Sequence, residues 1–337
     1  MGKKTRKEIV AVIICLIILT ITGCQGKTEE DDARSPSQGG EQTEEKKLRQ
    51  AAAPQFIPSG IRSVSLKKDG QEYVHISNEP AEYKMSFDYW EILNPYDENA
   101  VMDTEVMFEM FEELCSLSFT DAAPIEEGTD TGIQDSDMGI TVEYVDTTDD
   151  SYAKSMNPAD TKAKIILGRE DGNGGRYAAI TGNEEEVFIL PDDTLQMIYA
   201  RKPFDYILKI PVLISADTVE AVEISADGEK YEIGVDTAKD SYRFGKKRVK
   251  KEEFTALYQA ISGIKLVSEM NQEESSRKEE PRLSVIYRRN TGDAPDVSVS
   301  YYPFDEEFVS VEIDGKERFL VSKEEIETVI EQIKKAF

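Results

Sequence analysis

Polar and apolar residues alternate through Ser63-Val64-Ser65-Leu66, the pattern breaks at Asp69-Gly70, and a second short run, Tyr73-Val74-His75-Ile76, follows. Period two on both sides of an Asp-Gly pair predicts a β-hairpin, because Asp-Gly supplies the positive φ angles that a tight two-residue turn needs. The period then changes. Met107, Met110, Phe111 and Leu114 fall at i, i+3, i+4 and i+7, one face of a helix, with Asp103 placed to cap its first turn. Ile140-Thr141-Val142-Glu143-Tyr144 and Val187-Phe188-Ile189-Leu190 read as further strands, and Asp192 opens a second, shorter helix.

The same series occurs again. At an offset of 158, Val219, Val222, Ile224, Asp227-Gly228 and Tyr231 match Ile61, Val64, Leu66, Asp69-Gly70 and Tyr73. Phe254, Leu257, Tyr258 and Ile261 repeat the helical spacing. Leu283-Ser284-Val285-Ile286-Tyr287 and Arg318-Phe319-Leu320-Val321 repeat the strands. Ser322 with Glu325 reads as a capping box before the apolar stripe Ile326, Val329, Ile330 and Ile333. The expected fold is α+β: two similar repeats, residues 60–215 and 216–337, each a meandering antiparallel sheet with helices packed on one face. The first repeat is longer, through the polar insert Asp121 to Met138 and the stretch Asp146 to Lys162.

Upstream the pattern is different. Lys3, Lys4, Arg6 and Lys7 precede an apolar run from Ile9 to Ile21 that only Thr20 interrupts, and Ile21-Thr22-Gly23-Cys24 closes it. A run of thirteen residues, apolar except for Thr20, falls short of the roughly 20 that a membrane span requires, and a polar stretch follows, as after a removed signal segment. The sequence resembles the lipobox of bacterial lipoproteins. That resemblance implies cleavage of residues 1–23, lipid on the Cys24 thiol, and a protein anchored to the bilayer on the extracytoplasmic face of the cell membrane. Acyl chains contribute about 0.8 kcal/mol per buried CH₂, so several chains hold where one does not. Residues 24–59 then form the lipidated cysteine and a tether rich in Glu, Gln, Ser, Gly, Lys and Pro, without apolar periodicity.

The chain of 337 residues carries a formal charge of -27. Loss of the basic signal segment brings the remainder near -30, which opposes nucleic acid or a bare anionic membrane as a partner. Cys115 is the one cysteine left for the folded part, on an apolar helix face where a small hydrophobe is expected. No internal disulfide can staple the fold, so a core must hold it.

Trp90-Glu91-Ile92-Leu93-Asn94-Pro95, an apolar helix, Ile165-Ile166-Leu167-Gly168, Gly175-Arg176-Tyr177 and Val187-Phe188-Ile189-Leu190 follow one another in an order that resembles the domain-of-unknown-function 4340 family. The likeness covers about residues 61–210. The second repeat departs from it: Tyr242-Arg243-Phe244 stands near the Trp position and the proline is absent. The resemblance implies a membrane-anchored accessory protein of an ABC transporter complex of the gliding-motility type. It brings no catalytic residues.

Residue chemistry points the same way. The single histidine, His75, lies inside an alternating strand, where it reads as an ordinary strand residue. A Ser-His-Asp triad would have to use it, and no Gly-x-Ser-x-Gly elbow is present. Ser-x-x-Lys occurs at Ser65 to Lys68, Ser151 to Lys154 and Ser262 to Lys265, without the Ser-Asp-Asn and Lys-Thr-Gly partners. Zinc ligands are nearly missing. Asp130, Asp135 and Asp137, and Asp171-Gly172-Asn173-Gly174, lack the spacing of a calcium loop, and the latter reads as a hairpin tip. No catalytic residue, metal site or cofactor is expected.

One charge feature stands out. Residues 60–215 carry a net -20 and residues 216–337 a net -8, and the second half holds the run Lys246, Lys247, Arg248, Lys250 and Lys251 just before its first helix. As a solvated turn the run needs no partner; as a docking patch it suits an acidic partner or anionic lipid heads. The expected function is a lipid-tethered, non-enzymatic interaction module. A solute-binding lipoprotein is the alternative, recognisable by a cleft between the repeats, and an envelope enzyme is a third.

Overall fold

The computed structural model describes residues 49–50, 53–78, 90–96, 100–146, 160–270, 280–292 and 295–337. The signal segment, Cys24, most of the tether and Ser151 to Lys154 lie outside the described residues.

Among the described residues, two antiparallel sheets and four α-helices make an α+β fold. The first sheet contains β1 (Arg49–Gln50), β2 (Ile61–Lys68), β3 (Gln71–Ser77), β4 (Glu91–Asn94), β5 (Met138–Val145), β6 (Asp160–Glu170), β7 (Gly175–Ile180) and β8 (Asn183–Pro191). Its order is β4-β3-β2-β5-β6-β7-β8, and β1 lies parallel against the start of β6. Helix α1 (Thr104–Ser116) carries the chain from β4 at the edge back to β5 beside β2, and α2 (Asp192–Ala200) follows β8.

The second sheet contains β9 (Val219–Ala226), β10 (Glu229–Asp236), β11 (Ser241–Phe244), β12 (Lys247–Val249), β13 (Leu266–Glu269), β14 (Leu283–Arg289), β15 (Val297–Pro303), β16 (Phe308–Ile313) and β17 (Lys316–Ser322). Its order is β12-β11-β10-β9-β14-β15-β16-β17-β13. Helix α3 (Lys251–Ser262) precedes β13, and α4 (Lys323–Ala336) follows β17. Neither sheet is the simple meander expected. In each, one meander runs outward from the first hairpin, a helix follows, and a second meander starts on the hairpin's other side; in the second sheet β13 comes between the helix and that meander and pairs with β17 at the far edge.

The turns account for the hairpins. Asp69 and Gly70 both take positive φ (52° and 77°), as do Asp227 and Gly228 (47° and 83°). Such turns follow the right-handed twist of the strands they join. Helix α1 is capped as its sequence predicts, with Asp103 accepting from the N–H groups of Glu105 and Val106, and it buries Met107, Met110, Phe111 and Leu114. Helix α4 is not. The Ser322 side chain makes no cap hydrogen bond, because Ser322 is still paired with Phe308 at the end of β17, and the Glu325 carboxylate accepts instead from the Lys265 N–H at 3.2 Å.

Both sheets belong to one compact unit, and their buried side chains form one continuous core. Val64, Ile140 and Phe111 from the first part and Ile224, Val285 and Ile261 from the second are members. The Phe319 ring lies 5.4 Å from Tyr96 and 6.0 Å from Phe204, and the Tyr258 hydroxyl donates to the Ile214 carbonyl at 2.9 Å. A smaller apolar cluster sits on the other face of the first sheet. There Ile133 and Ile125, from the insert that reads as polar, pack on Ala179, Val187, Ile166 and Tyr177. The chain also joins the fold before residue 60: β1 pairs with β6, and Phe56 is buried with its ring 4.9 Å from Tyr144.

Candidate functional site

The basic run at 246–251 is more than a turn. Ser241–Phe244 and Lys247–Val249 pair as a short hairpin, reversed at Gly245 (φ 56°), and β12 forms the edge of the second sheet. Alternation sets the faces. Tyr242 and Val249 are partners and both buried, with the Tyr242 ring stacked on Phe254 of α3 at 4.3 Å, so the strands are anchored from within. The intervening pair, Arg243 and Arg248, therefore faces outward, and both are exposed.

Lys246, Lys247, Lys250 and Lys251 are exposed as well. Lys251 approaches Asp240 at 4.0 Å, whereas Lys246, Lys247, Arg248 and Lys250 make no ion pair with the described residues. The structure adds two residues to the run. Arg243 lies across Gly234, where a Cβ would meet its guanidinium at 3.2 Å. Phe337 stacks on Phe244 at 5.3 Å and lies tilted against Tyr231 at 5.0 Å while staying 39% exposed. Neither is readable from the run itself, since Arg243 joins through strand register and Phe337 through the packing of α4.

A hollow of about 550 Å³ opens beside this hairpin, lined by Ile224, Tyr231, Ile286 and Phe337 with Glu223 and Lys230 at its polar side. Glu223 is engaged: Arg288 holds it through two contacts of 2.8 and 2.9 Å, which lowers its carboxyl below the usual range. The exposed pair has little bearing on stability.

His75 has partners that the sequence reading did not assign. Its Nε2 lies 3.0 Å from the Ser63 hydroxyl, and its Nδ1 lies 3.6 Å from Glu72, whose other oxygen accepts from Ser65 at 2.7 Å. Ser63, Ser77 and Glu91, three of the few buried polar residues, sit on the neighbouring strand positions. The order serine–histidine–carboxylate is that of a nucleophilic triad, but two conditions fail. Ser63 is only 8% exposed, and it sits inside a strand paired on both sides, where backbone N–H groups serve the ladder rather than an oxyanion hole. The signal for this cluster is register: Ser65 stands opposite His75 across the hairpin, with Ser63 two positions away on the same face.

The remaining candidates are engaged elsewhere. Cys115 packs against the core, and burial pushes its thiol up to about 11, away from reactivity. Asp130 pairs with Arg169, and Asp171 accepts from the Asn173 and Gly175 N–H groups at 2.7 and 2.8 Å, closing the hairpin tip between β6 and β7. Among the described residues, no three His, Cys, Asp or Glu side chains converge as metal ligands would, and no helix is long and apolar enough to cross a membrane.

A second groove lies between α1 and α2, about 340 Å³, lined by Glu109, Glu112, Glu113, Thr194, Met197 and Arg201. Arg201 grips Glu113 with both terminal nitrogens at 2.5 and 2.8 Å and reaches Glu109 at 3.4 Å. Comparison of the chain with known protein families, with curated proteins and with solved structures gives no match.

Proposed function

We propose that this chain is a lipid-anchored, extracytoplasmic interaction module whose docking element is the basic hairpin of β11 and β12. Cys24 carries the acyl anchor, and the polar segment after it gives the folded part reach above the bilayer. The observation that carries the docking reading is the outward placement of Arg243 and Arg248 on a hairpin whose inner face is pinned by Tyr242 and Val249, with Lys246 and Lys247 exposed at its turn end. A cluster of cations without an ion pair among the described residues, on a sheet edge in a chain of net charge -27, presents a local field opposite to that of the molecule and so orients an acidic partner.

The two halves are read as copies of one unit. The strand order β4-β3-β2-β5-β6-β7-β8 corresponds to β11-β10-β9-β14-β15-β16-β17, with Asp-Gly turns and helices at matching places. On this reading the module belongs with accessory proteins of ABC-transporter complexes, as the likeness to the domain-of-unknown-function 4340 family implies. Crosslinking in native membranes tests it. The intact chain should capture membrane-protein partners, and reversing Lys246, Lys247, Arg248, Lys250 and Lys251 to Glu should abolish that capture. Unchanged capture by the reversed chain contradicts the docking element.

A second reading, a solute-binding lipoprotein, is favoured by the hollow lined by Ile224, Tyr231, Ile286 and Phe337. Its volume suits a small ligand. A Phe337→Ala variant that loses binding of an apolar dye supports that reading; equal dye binding by both chains removes it.

A further inference from the structure

The hairpin's cations need a counterpart, and the chain itself carries one. On α1, Glu105, Glu109 and Glu112 occupy the exposed side of the helix, and Arg201 offsets only Glu113 and part of Glu109. Glu105 and Glu112 make no ion pair with the described residues. The same place carries unusual apolar exposure. Met197 of α2 lines the groove and is 51% exposed, and Phe108, one turn from Glu112, is 42% exposed. Single exposed hydrophobes are ordinary, but an aromatic and a methionine beside one acidic groove resemble the apolar centre and charged rim of a contact surface. At the turn end of the hairpin, Phe337 is exposed beside Gly245, which separates Phe244 from Lys246.

The other interhelical groove provides a contrast. Between α3 and α4 the lining is Gln259, Thr328, Val329 and Gln332 with Glu324 and Glu325. No large hydrophobic residue of α3 or α4 is strongly exposed there. A general acidity of the molecule therefore does not by itself produce the α1–α2 surface.

We propose that the partner of the basic hairpin is a second copy of this chain, which receives it on the acidic groove between α1 and α2. The inference rests on the hairpin being the docking element and names its occupant. Two different surfaces meet, so the contact either closes reciprocally as a two-fold pair or runs head-to-tail into a ring or an open row. Lipid anchoring would favour such a row by confining the copies to one plane. Opposite charges set the approach and register, and Phe337, Phe108 and Met197 supply the apolar area that becomes buried.

Reciprocal charge reversal tests this on the full-length chain in detergent micelles, by sedimentation over a concentration series. The wild-type chain should self-associate, more weakly at high salt. Lys247→Glu with Arg248→Glu should weaken association at least about tenfold, and so should Glu109→Lys with Glu112→Lys. An equimolar mixture of the two reversed chains should recover association, because the reversed hairpin of one fits the reversed groove of the other. That recovery also shows that both variants are folded. A wild-type chain that remains monomeric throughout, or reversed chains that associate as the wild type does, overturns the inference. If the wild type is monomeric yet hairpin reversal still abolishes capture of other membrane proteins, the docking element stands and only its occupant is wrong. If capture also survives reversal, both readings fail.

Discussion

Arg243 and Arg248 face each other directly across the β11–β12 ladder, both exposed, with no carboxylate within ion-pair distance of either among the described residues, although the Arg243 charge reaches Asp236. Like charges at opposed positions are destabilising, by an amount in the range of about 0.2–1 kcal/mol. A short, charged edge strand also blocks edge-to-edge pairing, but that role needs only one of the two arginines. Keeping both is understandable if an external acidic group sits on them.

The first prediction follows from that conflict between stability and docking. Arg248→Glu should raise stability slightly, by up to about 1 kcal/mol, through a new cross-strand pair with Arg243, while reducing partner capture. Urea denaturation and crosslinking on the same variant check it. A variant that loses stability and keeps capture goes against the account in both respects.

The continuous core predicts that the two halves unfold together. Phe111→Ala removes a fully buried ring from the first half and should cost about 3–5 kcal/mol. Ile261→Ala in the second half should cost about 2–5 kcal/mol. Each should lower one shared thermal transition, whereas two separate transitions in calorimetry, of which each variant shifts only one, would contradict the shared core.

Asp227 ties the β9–β10 turn to α4. Its carboxylate receives Lys334 at 2.8 Å and Arg282 at 2.9 Å, and these cations hold its pKa below the ordinary carboxylate value. A folded-state pKa below the unfolded one contributes stability that is present above the unfolded value, about 3.9, and is lost as pH falls through the folded value. Asp227→Asn keeps a residue that tolerates the positive φ of 47° and removes the charge. It should lower stability at neutral pH by less than about 1 kcal/mol, since the pair is partly exposed. Stability curves of the two proteins should converge at low pH; a gap that widens on acidification is the wrong sign.

The arrangement around His75 predicts inertness. Without an oxyanion hole and with a buried hydroxyl, Ser63 should not be acylated or phosphonylated. A fluorophosphonate probe should leave the chain unlabelled at neutral pH. Labelling that disappears in Ser63→Ala would show that the serine–histidine–carboxylate contact is catalytic after all.

Much of this fold can be read from residue spacing, and the reasons are local. Asp69-Gly70 and Asp227-Gly228 announce their hairpins because few other residues accept two consecutive positive φ angles. The stripes of α1 and α3 match their buried faces residue for residue. What stays hidden depends on partners distant in sequence. β12 is three residues long, too short for a period, and becomes a strand only by pairing with β11. Ile125 and Ile133 show no periodicity and matter because the first sheet offers them a face. The capping box at Ser322 fails because Lys265 competes for Glu325. The candidate site divides in the same way: the lysines are visible as a run, whereas Arg243 and Phe337 enter only through register and helix packing.

The central claim is that the hairpin of an anchored chain makes the working contact, and one measurement addresses it most directly. Intact cells producing either the wild-type chain or the chain with Lys246, Lys247, Arg248, Lys250 and Lys251 all changed to Glu would be crosslinked and the membrane fraction resolved. The account predicts that both chains are in the membrane fraction, held by Cys24, and that only the wild type yields discrete crosslinked species. Identical crosslinked species from the two chains would contradict it.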